Sequence, residues 1–483
     1  MYYILGNKTL LRIVGINLII LSMGILICIA IAWIYSEPVQ PFILASGIAI
    51  TLSAIFLVLS KNHIDEINIG RREAFLAVIL SWLLISLLGS LPYIFSGSIR
   101  YFIDAVFESV SGFTTTGSSI LNDIESLPKS ILFWRSLTHW IGGIGIIILM
   151  IIVMPSFKTG GYHLFTLESS MQDKIRPRIK STGKRLLLIY VAFTVLEIIF
   201  LLFGGMNVFD SICHAFGTVA TGGFSTKNAS IAEYSPYIQY VIMVFMLLAG
   251  INFSIYYFLL AKDFGKVGKN EEVKSYLKVV FVLGLLISIS LYFKTDKSLE
   301  LSFREGFFQL ISIVSCTGFS TSDYSLWPGS ISLILMFSMF LGGSTGSTSG
   351  GIKIARHLIL VKNIRKTIQK MLCSNAVIPL KINGVKLEDE MNTTVLSFLL
   401  NYLIFFIIAS LTLIFLKVGA KTAFSAVATC LAGIGPGIDA VGPAANFSHL
   451  TPAVKLILSF VMLAGRLEIY SFLILFTPAY WRV

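Results

Sequence analysis

Charge is what this 483-residue chain has least of. Asp, Glu, Lys and Arg make up 13% of it, against 55% hydrophobic residues. So few charges cannot coat a water-soluble globule of this length, and the chain reads as an all-α integral membrane protein. Cysteine is scarce as well: Cys28, Cys213, Cys316, Cys373 and Cys430 are scattered with no CxxC pair, which excludes a disulfide framework and a thiolate metal site. No polar stretch is long enough to fold as a soluble domain, so any nucleotide-binding or regulatory domain has to come from another chain. Paired carboxylates, a metal motif and a nucleophile triad are missing too, and an enzyme is not expected. The net charge of +12 is spread over loops rather than gathered in one basic domain, which argues against nucleic acid.

What is present is apolar length. Runs of about 18–25 residues, enough to span a bilayer, fall at about 11–34, 40–60, 74–97, 131–154, 186–204, 237–261, 277–293, 331–352, 394–416 and 453–478. Ten spans put both termini on one side. The first run is too long for a signal-peptide core and lacks a small-residue cleavage pattern, so it is read as retained. Lys and Arg crowd four loops: Lys61, Arg71 and Arg72; Lys158, Lys174, Arg176, Arg178, Lys180, Lys184 and Arg185; Lys262, Lys266, Lys269, Lys274 and Lys278; and Lys353, Arg356, Lys362, Arg365, Lys366, Lys370, Lys381 and Lys386. All four fall on the same side of the ten-span arrangement, so the positive-inside rule assigns them and both termini to the cytoplasm. Contact with lipid headgroups is the first reading of these clusters, and docking of a cytoplasmic partner the second.

Between the spans, one device occurs four times. An acid or hydroxyl residue stands thirteen positions before a glycine in DAVFESVSGFTTTG (Asp104 and Gly117), DSICHAFGTVATGG (Asp210 and Gly223), EGFFQLISIVSCTG (Glu305 and Gly318) and TAFSAVATCLAGIG (Thr422 and Gly435). The glycines are 106, 95 and 117 residues apart, the spacing of a long internal repeat with variable linkers. The chain therefore divides into a leading hairpin, 1–70, and four pore repeats at 71–182, 183–273, 274–390 and 391–483. Each repeat is read as span, half-crossing helix, span. Asp104, Asp210 and Glu305 are expected to cap three of the short helices from outside. The opposite, negative dipole ends then face the bilayer centre and favour a cation.

Non-helical backbone at membrane depth survives only where protein or a water-filled path surrounds it. Four such turns imply a path, with glycine freeing the backbone to face the axis. The carbonyls of Thr115, Thr116 and Gly117 would join those of Thr221, Gly222 and Gly223, of Cys316, Thr317 and Gly318, and of Gly433, Ile434 and Gly435 in rings of four that replace the hydration shell of a monovalent cation. A divalent site would need carboxylates in the turns, and there are none. In the fourth turn Gly433, Gly435 and Gly437 compete for the register, and Gly435 preserves the offset of thirteen. In the second turn Gly222 competes with Gly223, which is chosen because GFST begins at both Gly223 and Gly318.

The motifs FESVSGFTTTGSS, ATGGFST, CTGFSTSD and CLAGIGPG, set in an eight-span core with two extra leading spans, resemble the TrkH family of Trk-type potassium uptake subunits. That family lies in the superfamily that includes KtrB and the plant HKT transporters. The resemblance covers essentially the whole chain. It implies potassium as the permeant ligand, a homodimer, a cytosolic TrkA-type nucleotide-binding regulatory ring and a bacterial cytoplasmic (inner) membrane. In relatives that admit sodium the first of the four glycines tends to be serine, so Gly117 favours potassium. A sodium-permeable or cation-coupled symporter is the second reading, and an unrelated secondary transporter the third. The third is disfavoured because those folds pair inverted repeats, whereas these four run one way.

Two further features fit this resemblance. GGSTGSTSGG (Gly342, Gly343, Ser344, Thr345, Gly346, Ser347, Thr348, Ser349, Gly350 and Gly351) cannot hold a regular helix where a span is expected. By resemblance it is an intramembrane gating loop; close helix packing is the alternative. The overlapping GSTSGGIK is not a nucleotide loop, since Ile352 separates glycine from lysine and no strand precedes it. Arg466, mid-span in MLAGRLEIYSF, is costly in a membrane and therefore a functional candidate. The resemblance implies that it raises the barrier to cations below the glycine turns; pairing with a carboxylate on a neighbouring helix is the alternative. Arg135 is expected to snorkel to the interface, and His139, His163 and His214 to pack without ligating a metal.

Overall fold

A backbone surrounded by hydrocarbon must satisfy its own hydrogen bonds, and apolar runs of this kind do so as helices. The computed structural model describes residues 8–60, 71–152 and 175–481; Lys61, Lys158, His163 and Lys174 lie outside them. The leading hairpin is α1 (Lys8–Ile34) and α2 (Gln40–Leu59). Next come α3 (Arg71–Gly89), the short α4 (Leu91–Phe95), α5 (Phe102–Phe113) and α6 (Lys129–Ile152). Then follow α7 (Ile175–Phe203), α8 (Val208–Val219), α9 (Pro236–Ala249), α10 (Phe253–Leu260) and α11 (Phe264–Lys269). The next stretch holds α12 (Glu271–Lys294), α13 (Leu299–Val314), α14 (Gly329–Ser338), α15 (Ile354–Leu372) and a two-strand hairpin, β1 (Lys381–Ile382) with β2 (Val385–Lys386). Last are α16 (Asp389–Phe415), α17 (Ala420–Ala432), α18 (Pro452–Arg466), α19 (Ile469–Leu473) and α20 (Pro478–Trp481).

The four short helices α5, α8, α13 and α17 are the innermost elements. From Ala105 to Phe113, and from Glu305 to Val314, every residue is buried. The long helices around them expose Phe200, Phe281, Phe293, Ile408 and Phe415 on their outer faces, an apolar surface that only lipid can cover. Helix α1 packs against α2, α3 and α6, fastening the hairpin to the first repeat.

Not every expected span is one helix. Among the described residues, six helices are long and apolar enough to cross a bilayer, and a seventh span is α9 with α10, bent by 94°. The run expected at 331–352 is helical only through α14 before the glycine-rich stretch begins, and the run at 453–478 breaks after Arg466, where Glu468 takes φ +60°. The second spans of repeats two, three and four are thus interrupted.

The capping expectation for the acids is corrected. The residues preceding α5, α8 and α13 are Tyr101, Asn207 and Ser298, of which Asn207 and Ser298 accept backbone N–H bonds. Asp104 and Asp210 lie in the first turn, where a carboxylate still complements the helix dipole. Glu305 lies two turns in. Each acid has a side-chain partner: Asp104 pairs with Lys455 at 2.7 Å, Asp210 accepts from Thr226 at 2.6 Å, and Glu305 pairs with Lys297.

Candidate functional site

Each short helix ends in the same way. The N–H of Thr116 bonds the Ser111 carbonyl at 2.9 Å, Gly222 bonds Gly217 at 2.7 Å, Thr317 bonds Ser312 at 2.8 Å and Ile434 bonds Thr429 at 2.9 Å. This six-to-one bond closes a Schellman cap, which requires a left-handed residue just before it. That residue is Thr115 (φ 53°), Thr221 (φ 54°), Cys316 (φ 58°) or Gly433 (φ 71°). Two residues further on, φ is positive again at Gly117 (82°), Gly223 (79°), Gly318 (86°) and Gly435 (103°). All four turns therefore share one backbone path. A β-branched threonine in the left-handed region is a genuine outlier costing about 1–2 kcal/mol, strain of the kind that collects at functional sites.

The glycines also show how the turns meet. A Cβ added to Gly117 would overlap the Gly222 carbonyl oxygen; one on Gly223 would overlap that of Thr317, and one on Gly318 that of Ile434. On Gly435 it would lie 2.8 Å from the Thr116 carbonyl oxygen. Each glycine thus abuts the carbonyl one position before the glycine of the next repeat, and the fourth returns to the first. The carbonyls of Thr116, Gly222, Thr317 and Ile434 form a closed ring. On the side to which the chain leaves the turns lies a cavity of about 200 Å³, bordered by Gly117, Gly223, Gly318 and Pro436.

The glycine-rich stretch lies against the ends of the short helices. Thr348 Oγ1 donates to the Val219 carbonyl at 3.0 Å, and a Cβ on Gly350 would overlap the Ala432 carbonyl oxygen. Ser344 N–H bonds the Gly250 carbonyl at 2.8 Å, at the bend between α9 and α10, and Phe253 N–H bonds the Gly346 carbonyl at 3.2 Å. Within the stretch, Gly343 N–H donates to Ser349 Oγ at 3.0 Å and Gly342 N–H to the Ile352 carbonyl at 2.9 Å. Ser347 Oγ bonds the Ser344 carbonyl at 2.6 Å, and Gly351 sits beside Cys316 and Gly342.

Arg466 reaches this segment. Its Nη1 donates to the Thr348 carbonyl at 2.8 Å, while Nε and Nη2 are buried with no hydrogen-bond partner among the described residues. No carboxylate among those residues lies within ion-pair distance of it. Glu468, two positions on, instead pairs with Arg356 at 2.7 Å. The alternative pairing of Arg466 with a neighbouring carboxylate therefore has no partner among the described residues.

Three charged groups depart from their expected places, and a fourth is buried without any expectation attached to it. Arg135 does not snorkel: it is 1% exposed and pairs with Glu108 at 2.9 Å. Lys353 and Arg356, assigned to the cytoplasmic face with the other basic residues, are buried; the Lys353 ammonium folds back onto the Ser349 carbonyl and Arg356 stacks on Phe398. Glu272, not singled out in the sequence analysis, is buried, and its Oε1 accepts from Thr345 N–H at 2.6 Å, Thr345 Oγ1 at 3.1 Å and Ala355 N–H at 3.2 Å. It ties the glycine-rich stretch at Thr345, and the first turn of α15 at Ala355, to α12. The one sequence signal for it is an acidic pair opening an apolar helix. His139 stacks on Phe224 with ring centroids 4.1 Å apart, and the described residues hold no cluster of His, Cys, Asp and Glu able to bind a metal.

Apolar helices enclosing four helix-and-turn units on one axis define a multi-pass membrane protein of the pore-loop class. More particularly, the chain belongs to the TrkH family of cation transport proteins, whose sequence pattern it matches over residues 40–286 and 296–483. It is 37% identical to the Trk system potassium uptake protein TrkH of Escherichia coli strain K12, over 98% of this chain and 99% of that protein. It is 34% identical to the protein of the same name from Vibrio parahaemolyticus, with the same coverage. Its fold is similar to the crystal structure of the potassium transporter TrkH from Vibrio parahaemolyticus, with a TM-score of 0.90 at 32% identity, covering 98% of this chain and 99% of that one.

Proposed function

We propose that this chain is the potassium-translocating subunit of a Trk-type uptake system in the bacterial cytoplasmic membrane. The observation that carries the reading is the closed ring, in which each turn glycine abuts the preceding-position carbonyl of the next repeat. Neutral carbonyls at the negative ends of four helices replace a cation's hydration without the trapping charge of carboxylates. The selectivity filter is then Thr115 to Gly117 with the matching residues of the other repeats, and potassium is its permeant ligand. The names of the curated relatives support potassium over sodium, as does glycine at position 117.

Residues 342–351 form the gate beneath this filter, held in place by Arg466 through Thr348. The basic clusters support a cytoplasmic location for both termini. A homodimer associated with a cytosolic TrkA-type nucleotide-binding ring follows from the family resemblance, and the "Trk system" in the relatives' names supports a multi-component assembly. The test is reconstitution of the purified protein in liposomes with reversal potentials read under potassium, sodium and proton gradients. A reversal that tracks the potassium gradient is expected. One that tracks sodium equally would remove potassium selectivity, and one that shifts with the proton gradient would make the chain a coupled symporter.

A further inference from the structure

One side chain per repeat braces the chain where it leaves the ring. Glu108, His214 and Gln309 stand nine positions before Gly117, Gly223 and Gly318, on the buried flanks of α5, α8 and α13. Each reaches to the same short stretch just past its own glycine. Glu108 accepts from Ser119 Oγ at 3.0 Å and from Ile120 N–H at 3.0 Å. His214 Nε2 shares a hydrogen bond with Ser225 Oγ at 3.0 Å while its Nδ1 donates to the Asp210 carbonyl at 2.8 Å. Gln309 Nε2 donates to the Ser322 carbonyl at 3.2 Å. In the fourth repeat the matching position is Ala426, and its neighbour Ser425 makes the bond instead, from Oγ to the Ile438 carbonyl at 2.9 Å.

The first brace differs in kind. Arg135 Nε pairs with Glu108 at 2.9 Å, and Arg135 Nη1 crosses to the next repeat, donating to the Ser225 carbonyl at 3.1 Å. Its guanidinium lies over the Phe224 ring, 4.1 Å from the centroid. One buried ion pair thus links the outgoing segments of repeats one and two.

We propose that Glu108, His214 and Gln309 are positioning residues that set the width of the carbonyl ring, with the Glu108–Arg135 pair fixing the spacing of the first two repeats. The proposal rests on the potassium reading above. A ring of neutral carbonyls rejects a smaller cation by size when its members resist closing around it, and the braces oppose that movement from behind. Charge-assisted hydrogen bonds are about twice as strong as neutral ones, which places the greatest stiffness at repeats one and two.

Potassium-to-sodium permeability ratios from reversal potentials in liposomes, read alongside thermal stability, test this. A reversal potential does not depend on how many molecules are folded, so a merely structural role leaves it unmoved. Glu108→Gln should lower the ratio by about tenfold, equivalent to about 1.4 kcal/mol of relative barrier. His214→Ala should lower it less, and His214→Gln, which installs the group found at the matching position of the third repeat, should restore it. If Glu108→Gln does not fold, the two His214 variants decide. Wild-type ratios in every folded variant overturn the proposal; a wild-type protein that fails to discriminate overturns the potassium reading instead.

Discussion

Arg466→Gln separates charge from tether at the proposed gate. Among the described residues the wild-type guanidinium makes one hydrogen bond, Nη1 to the Thr348 carbonyl at 2.8 Å, and glutamine keeps an N–H donor while removing the charge. A monovalent cation passing about 5 Å from that charge meets a repulsion of about 0.8 kcal/mol in water-like surroundings and about 3.3 kcal/mol at the effective dielectric of a protein interior. Converted at about 1.4 kcal/mol per decade, removing the charge should raise potassium flux between about 4-fold and about 250-fold. The same repulsion acts on any monovalent cation, so the potassium-to-sodium ratio should hold. Breaking a buried ion pair would cost about 3–5 kcal/mol, but no carboxylate partner stands beside Arg466 among the described residues. Two of its N–H donors are buried and unsatisfied there, so their removal should leave stability nearly unchanged. Tracer uptake into liposomes per folded molecule, read with the melting temperature, gives both quantities. Unchanged or lower flux in stably folded protein refutes the barrier.

Gly318→Ser combines a left-handed conformation at φ 86° with a Cβ that overlaps the Ile434 carbonyl oxygen. It should reduce the potassium-to-sodium permeability ratio by about tenfold or more, and an unchanged ratio from reversal potentials would take Gly318 out of the filter. Deleting residues 344–349 should raise potassium flux, because the segment beneath the ring is gone; wild-type flux in folded protein would make it a packing element. Glu272→Ala strands three buried donors from Thr345 and Ala355, each costing about 1–3 kcal/mol. It should lower the melting temperature and raise flux together, and a stability loss with flux unchanged would dissociate this carboxylate from gating.

The register of the turns was legible because a positive φ with no room for a Cβ admits only glycine, and a constraint that strict recurs at a fixed offset. The equally left-handed positions at Thr115, Thr221 and Cys316 were not, since their Schellman caps impose the conformation on residues that ordinarily avoid it. Among the interrupted spans, GGSTGSTSGG announces itself by composition. The bend at 250–252 does not: its one glycine is followed by Asn252, which accepts from Ser254 N–H and starts the next helix at 94°. Charge was the least readable quantity. Arg135 and Glu108 lie 27 residues apart on different helices, and neither the depth of each nor their meeting has a sequence signature. The three acids placed as caps show the same limit, because their true partners, Lys455, Thr226 and Lys297, belong to tertiary structure.

In the proposed function, discrimination and rate fall to different atoms. Discrimination between cations of equal charge depends on where neutral carbonyls can sit, and those positions are fixed by backbone conformation, by the glycines that let neighbouring turns touch, and by braces set behind them. None of these terms depends on a net charge in the path. Rate past the ring depends on the field that every monovalent cation meets alike. In the proposed function that field is set by the helix ends, which favour a cation, and by Arg466, which would oppose it. A single arginine bonded to a carbonyl of the glycine-rich segment would therefore link the proposed barrier to the position of that segment. Glu272 holds the same segment from the other side, through a helix that opens at the basic, cytoplasm-assigned loops. A displacement of α12 would move Thr345 and Ala355 directly, without any change in the ring of Thr116, Gly222, Thr317 and Ile434, so if residues 342–351 are the gate, opening driven through α12 would leave selectivity unchanged.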